Sequence, residues 1–166
     1  ELDRTVASAI SCGLEPTFTC FLPRPYPESF FKRHPQLRGE CYDSVLLKRG
    51  GHEPEYRINT DSAEGKDFYR TVIRGLLERW PQWKHFFFWH GDLGSGFYPD
   101  GEGPACLRQA ERIAAFHKML RSELNRRNMQ TNVWLNPWKL GADTAEELAR
   151  ILPEGVHFSI KDNPGL

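Results

Sequence analysis

The sequence predicts an α/β fold made of parallel βα repeats. Short apolar segments with the composition of strands alternate with longer segments in which apolar residues recur at helical spacing. This alternation is typical of parallel sheets whose strands are joined by right-handed helical crossovers. The segment from Phe86 to Trp89 is apolar throughout, as expected for a strand that is covered on both faces.

Four strands are predicted, each rich in β-branched or aromatic residues and followed within a few residues by proline, glycine or asparagine. In chain order, the predicted strands are Thr17 to Leu22, Phe86 to Trp89, Thr131 to Leu135 and Val156 to Ile160. Four strands make half of an eight-stranded barrel, and the sequence contains no visible internal repeat.

Four helices are predicted from their ends and their apolar spacing. The first ends at Gly13, and the second is capped by Asp61, with a glutamate three residues later, and ends before Pro81. The third has Pro104 in its first turn, and Asp143 caps the fourth. The apolar faces of the first three helices are Leu2, Val6, Ala7 and Ile10; Phe68, Val72, Leu76 and Trp80; and Leu107, Ala110, Ile113, His117, Leu120 and Leu124.

A long insertion follows the first strand. Residues 23–60 contain five prolines and a Gly-Gly pair, and the segment is far longer than the usual α/β connection of about two to six residues. We therefore expect one domain over residues 1–166 with an irregular insertion at 23–60. The aromatic residues Tyr26, Phe30, Phe31 and Tyr42 favour an ordered insertion, and insertions at this end of a strand are commonly functional.

The composition excludes several classes of function. The chain of 166 residues has 22 basic and 22 acidic side chains, so bulk electrostatics do not favour nucleic acid or an anionic membrane surface. No apolar run approaches the roughly 20 residues that span a bilayer. The four cysteines lack CxxC spacing and are expected to be free and buried, and no metal or cofactor motif is present. The cellular location stays open.

The strongest candidate for chemistry is Asp92. It follows the Phe86 to Trp89 strand directly after His90 and Gly91, and α/β enzymes keep their sites at this end of the strands. His90 could orient Asp92 or bind a substrate hydroxyl, although it could also be a buried imidazole. Asp92 itself could instead be an ordinary turn or cap residue. His117, on the apolar face of its helix, is expected to be a core histidine rather than a ligand.

Several short stretches together resemble the middle of a (β/α)8-barrel glycoside hydrolase. These are Leu22 to Gly39 (LPRPYPESFFKRHPQLRG), Asn59-Thr60-Asp61 before a helix, and the strand that ends in His90-Gly91-Asp92. The similar groups are the hexosaminidase-like barrels and the bacterial barrels related to α-glucuronidases. The resemblance implies that the four strands are strands three to six of a TIM barrel. It also implies that the remaining strands belong to a longer chain, the alternative being a half-barrel completed by association.

The resemblance implies hydrolysis of a carbohydrate by paired carboxyl groups, with Asp92 as general acid or as a carboxylate that orients the substrate. Asp162 follows the last predicted strand, on the same rim as Asp92, and could bind the substrate or serve as the second carboxylate. Asp162 could also belong to a simple Asp-Asn-Pro-Gly turn. An acid needs a raised pKa, for which the apolar wall of Trp89 is the nearest candidate. The chain departs from the hexosaminidases, which have Asp-Glu at the end of the fourth strand, because Leu93 follows Asp92.

Side chains for sugar binding are predicted at neighbouring strand ends. The apolar face of a pyranose packs on an indole and its hydroxyls need amides, so Trp134, Asn136 and Trp138 form a plausible subsite. Trp134 and Asn136 are two residues apart and should lie on the same side of their strand. His34, in the insertion, could line the mouth of the site. Both tryptophans could instead be core residues, and His34 could belong to a surface turn.

Two other functions remain open. The first is a non-catalytic carbohydrate-binding barrel, in which the same aromatic residues bind a sugar but no second carboxylate faces Asp92. The second is an isomerase or aldolase-type barrel acting on small carbohydrates. That chemistry needs a lysine or a metal, and Lys161 is the only lysine near a predicted strand end.

Overall fold

The computed structural model describes residues 2–20, 23–42, 53–89, 104–137 and 140–159. Twelve helices and strands, and one short 3-10 turn at Pro35–Leu37, lie in these ranges. In chain order they are α1 (Leu2–Ser11), β1 (Thr17–Cys20), β2 (Tyr26–Pro27), α2 (Glu28–Arg33), β3 (Arg38–Tyr42), β4 (Glu55–Ile58), α3 (Ala63–Arg79), β5 (His85–Trp89), α4 (Pro104–Arg126), β6 (Asn132–Asn136), α5 (Ala142–Ile151) and β7 (Val156–Phe158).

The main sheet has four strands in the order β1-β5-β6-β7, and every neighbouring pair is parallel. Phe18 is the register partner of Phe86, and Leu135 is the register partner of both Phe88 and Phe158. Each crossover from one strand to the next contains a helix. The predicted α/β fold of parallel βα repeats is confirmed.

The hydrophobic core lies between this sheet and the helices. Phe86, Phe88, Val133 and Leu135 are at most 2% exposed and share one face of the sheet. The rings of Phe88 and Phe116, in α4, meet edge-on with centroids 5.5 Å apart. Burial of each such side chain stabilises the fold by about 1.5 to 3 kcal/mol.

The opposite face of the sheet is only partly covered. Burial alternates along β5, so that Phe86 and Phe88 are buried while Phe87 and Trp89 keep part of their surface exposed. The expectation that the whole Phe86 to Trp89 run is covered on both faces is therefore wrong. The reason is that Phe116 of α4 packs against Phe88, while period-two alternation places Phe87 and Trp89 on the other face.

The insertion is more regular than predicted. Its described part contains α2 and a three-stranded antiparallel sheet in the order β2-β4-β3. The prediction of irregular structure failed because these strands are short and are held by partners far away in sequence. The expected aromatic order is present: Tyr26 stacks on Phe30 at 4.7 Å, and Phe30 meets Phe68 of α3 at 5.9 Å.

Two helix caps differ from their predicted positions. Ser62, rather than Asp61, caps α3, and its Oγ accepts a hydrogen bond from the backbone N–H of Gly65 at 3.0 Å. The side chain of Asp61 instead pairs with an arginine of α4. Gly141 caps α5, and Asp143 lies in the first turn, where a carboxylate is stabilised by the helix dipole.

Some predicted burial is also revised. The buried residues of α3 are Gly65, Tyr69, Ile73 and Leu77, while Phe68, Leu76 and Trp80 are only partly buried. The expectation of buried thiols is wrong for Cys12 and Cys41, which are free and exposed.

Among the residues described, no helix is both long enough and apolar enough to cross a bilayer.

Candidate functional site

Trp89 and Asn136 are neighbours at the C-terminal edge of the main sheet. They are register partners at the last positions of β5 and β6. Adjacent strands lie about 4.8 Å apart, and register partners in a sheet direct their side chains to the same face. This edge is where the sequence analysis placed the site, and these two of the predicted residues come together there.

Asn136 holds the end of β7 in place. It is 3% exposed, and its Nδ2 donates a hydrogen bond to the backbone oxygen of Ser159 at 3.1 Å. The backbone N–H of Ser159 in turn donates to the oxygen of Leu135 at 2.8 Å. The amide that was expected to contact a sugar therefore has a protein partner in this structure. Asn136 acts as a link between two strand ends.

Among the described residues, Trp89 is an aromatic residue at this edge. Its ring lies 6.3 Å from that of Phe87, tilted by 55°, and it is half-buried. Phe87 lies deeper along the same face of β5. The partly exposed indole is a surface on which the apolar face of a planar or ring-shaped ligand can pack.

Trp134 shares the face of Asn136, as the alternation predicts, but its indole extends toward the opposite end of the sheet. Its Nε1 donates to Nδ1 of His85 at 3.4 Å, and its ring packs against that of His157 at 5.1 Å. His85 is the first residue of β5, at the N-terminal end of that strand. The structure therefore separates the Trp134 ring from the Trp89–Asn136 edge.

His34 lies at the C-terminal cap of α2 in the insertion. Its backbone N–H donates to the oxygen of Phe30 at 3.1 Å, and its ring lies 4.8 Å from the ring of Phe30. These contacts are typical of a residue that closes a short helix. The ring contact described for His34 is thus with its own helix.

Four predicted site residues, His90, Asp92, Trp138 and Asp162, fall outside the described residues, as does Lys161. Their roles stay predictions. The structure gives the positions of β5, β6 and β7, the strands that precede these residues in the chain. Asp92 comes three residues after Trp89, and Asp162 comes three residues after Ser159.

A second polar site, which the sequence analysis missed, joins the turn before α3 to α4. Arg112 binds Asp61 with its Nε 3.1 Å from both carboxylate oxygens and its terminal nitrogen 2.5 Å from Oδ2. These hydrogen bonds hold the pKa of the Asp61 carboxyl below its usual value, against a smaller opposing effect of desolvation. The pair is 51 residues apart in sequence, so no local pattern indicates it.

The expected role of His117 as a core residue is confirmed. Its side chain is fully buried, and its ring meets that of Phe88 edge-on at 5.2 Å. Burial lowers the pKa of its imidazole to about 3, which keeps the ring neutral. Across the described ranges, no three His, Cys, Asp or Glu side chains are grouped as a metal ion would require.

Comparisons with known proteins give a fold but no family. No protein-family model and no curated protein matches this chain. Among solved structures, the fold is similar to that of a GH20 exo β-N-acetylglucosaminidase from Vibrio harveyi, solved in complex with N-acetylglucosamine, with a TM-score of 0.55 and 14% identity. The match covers 95% of this chain but only 24% of that enzyme. The chain therefore has a glycoside-hydrolase-like α/β fold, in which the parallel sheet is part of a TIM barrel.

Proposed function

We propose that this chain is part of the catalytic barrel of a glycoside hydrolase that cleaves glycosidic bonds by carboxylate acid/base chemistry. The observation that carries the proposal is the likeness of its fold to part of the GH20 enzyme. The pattern of residues at the strand ends supports it, because a partly exposed indole lies at the C-terminal edge and a carboxylate follows three residues later. In barrel enzymes this edge carries the site.

In this proposal Asp92 and Asp162 are the paired carboxyl groups. They follow β5 and β7, which lie on either side of β6. Strands separated by one neighbour are about 9.5 Å apart, and inverting glycosidases hold their carboxyl groups about 6.5 to 9.5 Å apart. Asn136 would then position Asp162 through its hydrogen bond to Ser159. Trp89 would supply the apolar surface that keeps Asp92 protonated.

The substrate class within this proposal follows from two opposing observations. The similar solved enzyme acts on β-N-acetylglucosaminides, which favours a hexosaminidase-like activity. Leu93 stands where hexosaminidases have the glutamate that follows their aspartate, which argues against hexosaminidase-like chemistry and favours a substrate of the barrels related to α-glucuronidases. The substrate panel must therefore include both kinds of sugar.

Hydrolysis of a panel of aryl glycosides tests the proposal. The panel contains the β-N-acetylglucosaminide, glucosides, galactosides and glucuronides, and the protein is the full-length chain. Asp92→Asn should reduce kcat/KM by about 10²- to 10⁴-fold on the active substrate. Asp143→Asn, which changes an exposed aspartate on α5, is the control and should keep wild-type activity. Equal rates for wild type and Asp92→Asn would remove Asp92 from the mechanism.

The alternative is a carbohydrate-binding barrel without catalysis. It is supported by the partly exposed indole of Trp89 at the strand ends, which can pack against a sugar ring without a catalytic carboxylate. Calorimetric titration with the sugars of the same panel distinguishes the two functions. Saturable binding without turnover would favour the binding domain, whereas turnover that depends on Asp92 excludes it.

We further propose that the partly exposed face of the main sheet is covered by the remaining barrel strands of a longer chain. Phe87, Trp89 and Trp134 on this face are half-buried, although parallel sheets are normally covered on both sides. Acrylamide should quench the fluorescence of Trp89 and Trp134 more strongly in the 166-residue chain than in the full-length protein. Each contribution is obtained by subtraction with Trp→Phe variants, and equal quenching in the two proteins would refute the proposal.

A further inference from the structure

A small cavity lies between α3 and α4, on the helical side of the sheet and away from the strand ends. Its volume is about 110 Å³. Thr60, in the turn before α3, closes one side, and the rest of the lining comes from the facing sides of the two helices. The helical residues that line it are Lys66, Tyr69, Arg70, Arg112, Ala115, Phe116 and Met119.

The floor of this cavity is apolar. Tyr69 and Phe116 are 1% and 3% exposed, and their rings meet edge-on with centroids 5.9 Å apart. The Tyr69 hydroxyl is directed at the backbone oxygen of Arg24, 3.4 Å away. Ala115 and Met119 complete the wall and are one helical turn apart.

The mouth of the cavity is cationic. Lys66, Arg70 and Arg112 all line it, and no acidic residue does. Asp61 fixes the guanidinium of Arg112, and Asp67 pairs with Arg70. Lys66 forms no ion pair within 4 Å among the described residues. Because Asp61 and Asp67 offset the charges of the two arginines and hold them in place, the net positive charge at the mouth comes from Lys66, and this charge favours an anion.

We propose that this cavity binds a small carboxylate with a compact apolar body, such as an aromatic or branched aliphatic acid. The apolar body enters against Tyr69, Phe116 and Met119, and the carboxylate stays at the mouth beside Lys66 and Arg112. The size is appropriate, because a dry cavity of about 150 Å³ holds one benzene molecule and this cavity is smaller but open at one side. The site is separate from the strand ends and does not depend on the proposed hydrolase activity.

Titration with benzoate, followed by NMR chemical shifts of the full chain, tests this proposal. Benzoate should bind saturably, with a Kd on the order of 1 mM as expected for a ligand of this size. Benzyl alcohol should bind roughly three- to fivefold more weakly, because it lacks the charge that the mouth favours. Inorganic phosphate should cause no saturable shift at Tyr69 and Met119, because it has no apolar body.

Three variants locate the site. Lys66→Gln should weaken benzoate binding roughly three- to fivefold, and Ala115→Leu should abolish it by filling the cavity from an exposed position. Lys118→Gln changes an exposed lysine of α4 that does not line the cavity, and it should leave the affinity for benzoate unchanged. The proposal is overturned if benzoate does not bind, if benzyl alcohol or phosphate binds equally well, or if Ala115→Leu binds like the wild type.

Discussion

The indole of Trp134 donates its Nε1–H to Nδ1 of His85 across the β5–β6 pair, at 3.4 Å. An indole nitrogen can only donate, so Nδ1 of His85 is the acceptor and Nε2 carries the hydrogen. That Nε2 lies 2.8 Å from Oε2 of Glu15, so a carboxylate completes the chain of contacts. Trp134 is thereby held toward the N-terminal end of the sheet, whereas Trp89 lies at the C-terminal edge.

This relationship predicts different effects for the two tryptophans on sugar binding. Trp89→Ala should weaken binding by a factor of about five, corresponding to about 1 kcal/mol of lost aromatic contact. Trp134→Ala should leave KM and sugar affinity unchanged while lowering the free energy of unfolding. Steady-state kinetics or calorimetry on both variants, with urea unfolding in parallel, measures this difference. A loss of affinity confined to Trp134→Ala would reverse the assignment.

Asn136 is predicted to be important for stability. Asn136→Ala leaves the backbone oxygen of Ser159 without its side-chain donor, and the free energy of unfolding should fall by about 1 to 3 kcal/mol. Asn132→Ala is the matched control, because Asn132 lies on the same face of β6 but is exposed. Its effect should stay within about 0.5 kcal/mol. Urea unfolding of the pair checks the prediction, and equal losses would contradict it.

Glu123 should make the stability of the protein depend on pH. Its carboxylate, 6% exposed, accepts from Arg74 of α3 at 2.9 Å and from Arg126 at 2.9 and 3.0 Å. Hydrogen bonds from Arg74 and then Arg126 hold the pKa of Glu123 below its usual value of 4.5, although desolvation opposes them. This stabilisation is complete above the unfolded-state pKa and is lost as the pH falls through the lower folded-state pKa.

Glu123→Gln should therefore lower the free energy of unfolding at pH 7 by about 1 to 3 kcal/mol. The difference from the wild type should shrink as the pH falls from about 5 toward 3, because the wild-type carboxylate is then protonated. Glu111→Gln, on the exposed side of α4, serves as the control. Denaturant unfolding across this pH range measures the effect, and a difference independent of pH would show that Glu123 stabilises the fold in another way.

Two glycines of α3 should respond in opposite directions to alanine. A Cβ on Gly65 would overlap the backbone oxygen of Asn59 and lie 2.8 Å from its carbonyl carbon, so Gly65→Ala should cost about 1 to 3 kcal/mol. A Cβ on Gly75 would meet nothing within 4 Å, so Gly75→Ala should stabilise the helix by about 0.5 to 1 kcal/mol. Thermal unfolding of the two variants gives the signs. If Gly65→Ala were more stable than the wild type, the backbone at Asn59 would be able to move away from the added Cβ at little energetic cost.

The four strands and the helices between them could be predicted from local patterns. The apolar run at β5 and the helical spacing along α4 are long and regular, and the predicted core positions Ala110, Ile113 and Leu120 are buried. The antiparallel sheet of the insertion could not be predicted, because β2 has two residues and its partner β4 begins 28 residues later. In such a sheet the pairing energy comes from contacts that no short window of sequence contains.

The candidate site was predictable only in outline. The placement of Trp89 and Asn136 at one edge follows from strand alternation, since register partners share a face. The direction of the Trp134 indole depends on His85 and His157, which lie on two other strands. The Asp61–Arg112 pair depends on the packing of an insertion turn against α4.

The sequence by itself determined the βα alternation, the core-facing side of α4 and the strands from which Asp92 and Asp162 follow. These features depend on periodicity, which is a property of neighbouring residues. Tertiary structure alone decided that Asn136 ties β6 to β7, that Trp134 faces away from the strand ends and that a cationic cavity opens between α3 and α4. Each of these features requires residues that are distant in sequence to come together. Hydrogen bonds and ion pairs act over only a few ångströms, so they form only when folding has brought those residues close.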